Sequence, residues 1–137
     1  MLENAQMITA DAPRGTAVVL STVVQLRHPA TEVAGARLLS TAHGVYEARL
    51  GGRPVSDAVL APGWTSYEWR LQVQEHDVRA LLTDGVELEV LLGNGWWRGE
   101  LGFASADVDY GNQIGFLGEL QVTYTDGSVQ SLPTDDT

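Results

Sequence analysis

The 137 residues fit one domain, and a chain of that length buries roughly two-thirds of the surface its unfolded form exposes, so a core is attainable without staples. The absence of cysteine excludes a disulfide framework and any cysteine-ligated metal. Eighteen acidic residues against eight basic ones give a formal charge of −10, a surface that repels phosphate backbones and argues against a nucleic-acid partner.

Residues 1–15 mix polar and apolar side chains and end near Pro13 and Gly15; they read as a leader, expected to be poorly ordered. No basic stretch followed by an apolar run marks a secretory signal, and no apolar run reaches the ~20 residues that span a bilayer, so no membrane contact is expected and localisation is open. Residues 16–137 are expected to form the single folded domain. From Ala17 to Arg27 a two-residue period places Val18, Leu20, Val24 and Leu26 on one face, with Thr22 the polar exception. His28-Pro29 ends that strand, because proline lacks the ladder donor.

A second strand is predicted over 34–42, with Ala36 and Leu38 sharing a face, and His43-Gly44 interrupts it. Tyr46, Ala48 and Leu50 then alternate with Glu47 and Arg49. Gly51-Gly52 supplies a two-residue hairpin turn whose central positions need positive φ, and Arg53-Pro54-Val55 begins the return. Residues 57–67 form a longer connection around Pro62-Gly63. Trp69, Leu71 and Val73 alternate with Arg70, Gln72 and Gln74, which predicts a half-buried strand with Trp69 in the core. Asp77 is placed to cap a short helical turn over 78–82. Val86, Leu88, Val90 and Leu92 form the next alternating strand.

That strand delivers the chain to Gly93-Asn94-Gly95-Trp96-Trp97-Arg98-Gly99-Glu100, where two indoles and a guanidinium sit among glycines. Residues 99–113, rich in glycine and aspartate, read as a long loop of the kind that often binds. Ile114 to Thr125 returns to strand, Asp126-Gly127 signals a hairpin, and Ser128 to Leu132 pairs back. Seven or eight short strands with one helical turn, and no long amphipathic helix, predict an all-β, antiparallel β-sandwich of jelly-roll type.

The runs Gly44-Val45-Tyr46-Glu47, Leu60-Ala61-Pro62-Gly63-Trp64-Thr65-Ser66-Tyr67, Asp77-Val78 and Leu92-Gly93-Asn94-Gly95-Trp96-Trp97-Arg98-Gly99 resemble, in order and spacing, the amino-terminal β-sandwich domain of bacterial α-L-rhamnosidases. The resemblance covers roughly residues 34–137; the two tryptophan motifs are specific, whereas the Asp-Val turn is also similar to the sugar-binding sandwich of β-galactosidase-type enzymes. Two positions depart from the pattern: Gly51 stands where asparagine is usual, and Arg79 where threonine is usual. The resemblance implies a non-catalytic accessory domain of a glycoside hydrolase, with a structural or carbohydrate-positioning role. Hydrolysis would belong to a helical barrel elsewhere, so no catalytic residue is carried over. The implied partners are the other domains of that enzyme and a rhamnose-containing glycan. The competing readings are an autonomous carbohydrate-binding module and a scaffold sandwich without a sugar site.

Aromatic rings stack on the C–H faces of pyranoses and arginine donates to hydroxyls, so Trp64, Tyr67, Trp96, Trp97 and Arg98 are the candidate carbohydrate-binding residues. The alternative is that they anchor loops or form a seam to another domain. Glu100, Asp107, Asp109 and Glu119 are the acids near this segment; hydrolysis needs a carboxylate pair at a defined separation, and these read as solvated surface. Residues 107–112 lack the ligand spacing of a calcium loop, and His28, His43 and His76 lack that of a zinc site, so neither metal nor cofactor is expected. Leu39, Leu91 and Leu117 fall out of phase with their strands and are expected to face outward, toward other domains or a second copy.

Overall fold

The computed structural model describes residues 2–101 and 106–135, and it is a β-sandwich. Eleven strands are present among these residues: β1 (Ile8–Ala10), β2 (Val18–Val23), β3 (Val33–His43), β4 (Val45–Leu50), β5 (Arg53–Pro54), β6 (Gln74–Asp77), β7 (Glu87–Gly93), β8 (Arg98–Leu101), β9 (Ala106–Asp109), β10 (Ile114–Tyr124) and β11 (Val129–Pro133). One sheet runs β1-β10-β3-β6, with β11 also on β10; the second runs β2-β7-β4-β5; β8 and β9 form a separate ribbon. Every pairing is antiparallel. Two short 3-10 turns, Ala30–Glu32 and Arg79–Leu81, replace the single helical turn expected from sequence.

The core sits between the sheets, where period-two alternation puts its apolar side chains. Ala36, Leu38 and Ala42 of β3 and Phe116, Leu120 and Val122 of β10 meet Tyr46, Ala48 and Leu50 of β4 and Val90 and Leu92 of β7, all buried. Each large side chain so buried contributes on the order of 1.5–3 kcal/mol. The Tyr46 ring meets the Phe116 ring edge to face, 5.3 Å between centroids. Its hydroxyl donates to Gln74 Oε1 at 2.8 Å, which leaves Ser40 Oγ, also 2.8 Å away, as the donor of the second bond. A polar tip inside the sandwich is therefore satisfied.

The turn chemistry is local. Gly51 and Gly52 both take positive φ, as a tight hairpin between β4 and β5 requires. Asp126 Oδ1 accepts from both the amide and the hydroxyl of Ser128, closing the β10–β11 hairpin. Asp77 Oδ1 accepts the Arg79 amide at 3.0 Å over the second 3-10 turn.

Four expectations are corrected. The stretch 69–73 is not a strand: β6 begins only at Gln74, and Trp69 is 85% exposed instead of in the core. Its alternation is a coincidence of a held turn, in which the amides of Trp69 and Arg70 both donate to the Ser66 carbonyl. Residues 99–113 are not one long loop, because β8 and β9 pair across it; the part at 102–105 lies outside the described residues. The leader is not wholly outside the fold, since Ile8–Ala10 pairs with β10 and Ala12 is buried. Leu39 is 8% exposed, enclosed between β6 and β10 on the outer face of the first sheet, whereas Leu117 is half-buried and Leu91 is exposed. No helix among the described residues is long and apolar enough to cross a membrane.

Candidate functional site

The turn between β7 and β8 is built by close backbone approach. A Cβ on Gly44, at φ +128°, would lie 2.2 Å from the Gly93 carbonyl oxygen, so the β3–β4 corner and the end of β7 fit together only through glycine. Gly95 takes a positive φ in the same turn, and the Arg98 amide donates back to the Asn94 carbonyl. Trp97 and Arg98 emerge from this turn in different directions.

Arg98 is 5% exposed and its guanidinium is fully engaged. Nε and Nη2 donate to Asn94 Oδ1 at 2.9 and 2.6 Å; Nη1 donates to the carbonyls of Ala12 and Asn112 at 2.9 and 3.0 Å; Nη2 also reaches the Pro13 carbonyl at 3.3 Å. The fork geometry of arginine suits such a clamp. Arg98 therefore ties the amino-terminal segment to the β7–β8 turn and has no donor left for a hydroxyl of a ligand, which corrects its place among the sugar-facing residues.

Trp97 is half-buried and packed on three rings. His43 stacks on it, centroids 3.9 Å apart and planes 7° apart; Tyr67 meets it edge-on at 5.3 Å; Tyr110 lies 6.5 Å away. Its Nε1 donates to the Gln113 carbonyl at 2.8 Å. Tyr67 is itself buried, packed on Tyr110 at 5.0 Å, with its hydroxyl donating to the Gly63 carbonyl. Burial raises the Tyr67 hydroxyl above its ordinary value, helped by the neighbouring Tyr110, and burial lowers the His43 imidazole below its ordinary value. The structure thus joins Tyr67 and Trp97 in one packed cluster that links the 57–73 connection to β3 and to the segment after β9. Trp96 is half-exposed and is not one of the rings in these contacts.

An open indole pair lies beside the cluster. Trp64 and Trp69, 51% and 85% exposed, flank a groove of about 430 Å³ whose remaining walls are Thr65, Ser66, Glu68, Arg70 and Tyr110. The groove is held in shape: Arg70 Nε donates to Thr65 Oγ1, and Gln72 Nε2 donates to the Trp64 carbonyl, each at 3.2 Å. Aromatic faces, hydroxyls, a carboxylate and a guanidinium in one shallow groove are chemically suited to a polyhydroxylated ring. Sequence reasoning named Trp64 but missed Trp69, Arg70 and Tyr110. The signal for Trp69 was present in its charged neighbours Glu68 and Arg70, which mark an exposed turn better than the alternation marks a strand.

Of the acids, Glu100 is exposed, and the side chains of Asp107 and Asp109 lie outside the described residues. Glu119 is buried on the outer face of β10, its Oε1 accepting from Gln121 and Ser131 at 2.9 Å each. Among the described residues no group of three or more His, Asp or Glu side chains could hold a metal.

Residues 31–137 match the family model of the α-L-rhamnosidase N-terminal domain. The chain is 40% identical over 121 residues to an α-L-rhamnosidase of Streptomyces avermitilis, covering 85% of this chain and 12% of that protein, and 37% identical over 107 residues to one from Formosa agariphila, again 12% of its length. Among solved structures it is similar to the native α-L-rhamnosidase of Aspergillus terreus, with TM-score 0.87, 33% identity, and 98% of this chain against 16% of that one. It is also similar to the Streptomyces avermitilis enzyme complexed with L-rhamnose, with TM-score 0.77 and 36% identity, 85% of this chain against 11% of that one. The chain spans only a small part of each relative, and the family model, the identities and the shared fold agree: it belongs to the α-L-rhamnosidase N-terminal domain family.

Proposed function

We propose that this chain is a non-catalytic accessory domain of an α-L-rhamnosidase-type glycoside hydrolase, with bond cleavage carried out by another part of the same polypeptide. The observation that carries this reading is how the motif residues are used. Trp97, Tyr67 and Arg98 are spent on packing and hydrogen bonds that brace the corner of the sandwich. A rigid corner is what a domain needs in order to hold a neighbour in register. Incubation of the purified chain with an aryl α-L-rhamnoside tests it: no turnover is expected, and turnover lost on Glu100→Gln would overturn it.

A carbohydrate-positioning role is the second reading, favoured by the groove between Trp64 and Trp69 rather than by Trp96, Trp97 and Arg98. Titration with L-rhamnose and rhamnose-containing oligosaccharides, followed by tryptophan fluorescence, tests it. Saturable quenching in the native chain that disappears in Trp69→Ala supports it, and identical traces in the two proteins would leave a scaffold sandwich without a sugar site.

A further inference from the structure

The two sheets are unequal in width. The first carries β1 and β11 end to end along the outer edge of β10, whereas the second stops at β2, which pairs only with β7 among the described strands. Between them runs a cleft of about 390 Å³, with Ile8, Leu120 and Leu132 on one wall and Thr22, Val24 and Leu88 on the other. Several side chains around it lie on inward faces yet are only half-buried. Leu88 pairs with buried Leu50, Leu132 with buried Leu120, and Ile8 with buried Phe116. The sandwich is buried at its centre and under-covered along this side.

Among the described residues the β2 edge has none of the usual protection. Its sequence, Val-Val-Leu-Ser-Thr-Val, carries no charge and no proline, and Val19 and Val23 are exposed. Natural sheets blunt such an edge with lysine, proline or a bulge, or they cover it. The cleft is already closed at one end, where Gln130 Nε2 donates to the Gln25 carbonyl and the Arg27 amide donates to Gln130 Oε1.

We infer that an extended segment of the larger enzyme adds to β2 as a fifth strand and lays alternate apolar side chains into this cleft. Strand addition suits the site, because main-chain bonds to an open edge supply affinity and pockets beneath take every second side chain. The occupant is assigned to the same polypeptide for two reasons. The relatives contain far more chain than this one spans, which is 16% of the Aspergillus terreus protein. Segments near the two ends of the described chain are also joined beside the cleft: the Gln6 amide donates to the Thr134 carbonyl, Thr134 Oγ1 donates to the Gln6 carbonyl, and Ile8, Thr134 and Asp135 line the cleft.

The inference rests on the reading of the chain as part of a larger enzyme, and its test separates the two. The chain is prepared alone and as a replacement for its equivalent in the Aspergillus terreus protein, and amide hydrogen exchange is followed by mass spectrometry. The peptide over 18–24 is expected to exchange at least tenfold more slowly in the chimera, while the peptide over β4 is unchanged. Thr22→Arg, which puts a cation at the exposed mouth of the cleft, is expected to remove that protection and to leave the unfolding midpoint of the isolated chain unaltered. Equal exchange of β2 in an active chimera overturns the inference and leaves the accessory reading standing. Protection of β2 that appears in the isolated chain with rising concentration assigns the edge to a second copy and also overturns it. Protection that survives Thr22→Arg does the same, since the added strand would then not sit over the cleft. A chimera that does not fold is replaced by the Aspergillus terreus protein itself, its own equivalent of β2 compared in place and excised, with the same outcomes.

Discussion

The imidazole of His43 lies flat on the indole of Trp97, with centroids 3.9 Å apart and planes inclined by 7°. His43 is the last residue of β3 and Trp97 belongs to the turn after β7, so the stack fastens one sheet to the other at the corner where the family motif sits.

This stack makes the corner sensitive to acid. Burial holds the His43 imidazole below its ordinary 6.5. A histidine depressed on folding contributes stability that is fully present above about 6.5 and lost as pH falls through its lower folded value. His76 is shifted in the same direction, also by burial, and contributes to the wild-type dependence in the same sense. Urea unfolding between pH 8 and pH 5 is expected to show wild type losing stability toward acid. The gap between wild type and His43→Gln should narrow over the same interval; a gap that stays constant with pH would remove His43 from the effect.

Arg98 is expected to behave as a structural residue. Arg98→Ala strands the buried carbonyl of Ala12 and leaves Asn94 Oδ1 without its two guanidinium donors. Unsatisfied groups of this kind cost about 1–3 kcal/mol each, which predicts a loss of roughly 2–4 kcal/mol in chemical denaturation. Arg98→Lys should recover only part of it, because an ammonium cannot reproduce the fork. A loss under about 0.5 kcal/mol, the range of ordinary surface changes, would contradict the clamp.

The tryptophans are predicted to divide. Trp97→Ala removes a ring packed on His43, Tyr67 and Tyr110 and should cost about 2–4 kcal/mol, a little below a fully buried indole. Trp69→Ala removes a ring that is 85% exposed and should change stability by no more than about 0.5 kcal/mol. Any saccharide affinity is expected to follow Trp69 and Trp64, not Trp97. Calorimetric titration of both variants, alongside their unfolding curves, checks the division.

Gly44→Ala is expected to be among the most damaging single-methyl changes. It combines a φ of +128° with a Cβ 2.2 Å from the Gly93 carbonyl, which is backbone and cannot swing aside. A loss of about 3 kcal/mol or failure to fold is expected by thermal unfolding. Gly52→Ala, also at positive φ but with open space around its Cβ, should cost about 1 kcal/mol.

Much of the architecture was legible in residue order because it depends on local rules. Tyr46, Ala48 and Leu50 alternate with charges, so one face had to be buried; Gly51-Gly52 and Asp126-Gly127 could only be turns; the paired tryptophan motifs carried the family. What the sequence could not rank was which aromatic would end up where. The spacing of Trp69, Leu71 and Val73 satisfies a strand as well as a held turn, and only the main-chain bonds to Ser66 decide for the turn. Arg98 reads as a ligand donor until Ala12, Pro13 and Asn112, far away in the chain, bring their carbonyls around it. The covering of Leu39 by neighbouring strands and the uncovered β2 edge are likewise properties of sheet order. Periodicity reports which face of a strand is apolar, whereas burial depends on what the rest of the chain lays against that face, and that is settled by contacts between residues many positions apart.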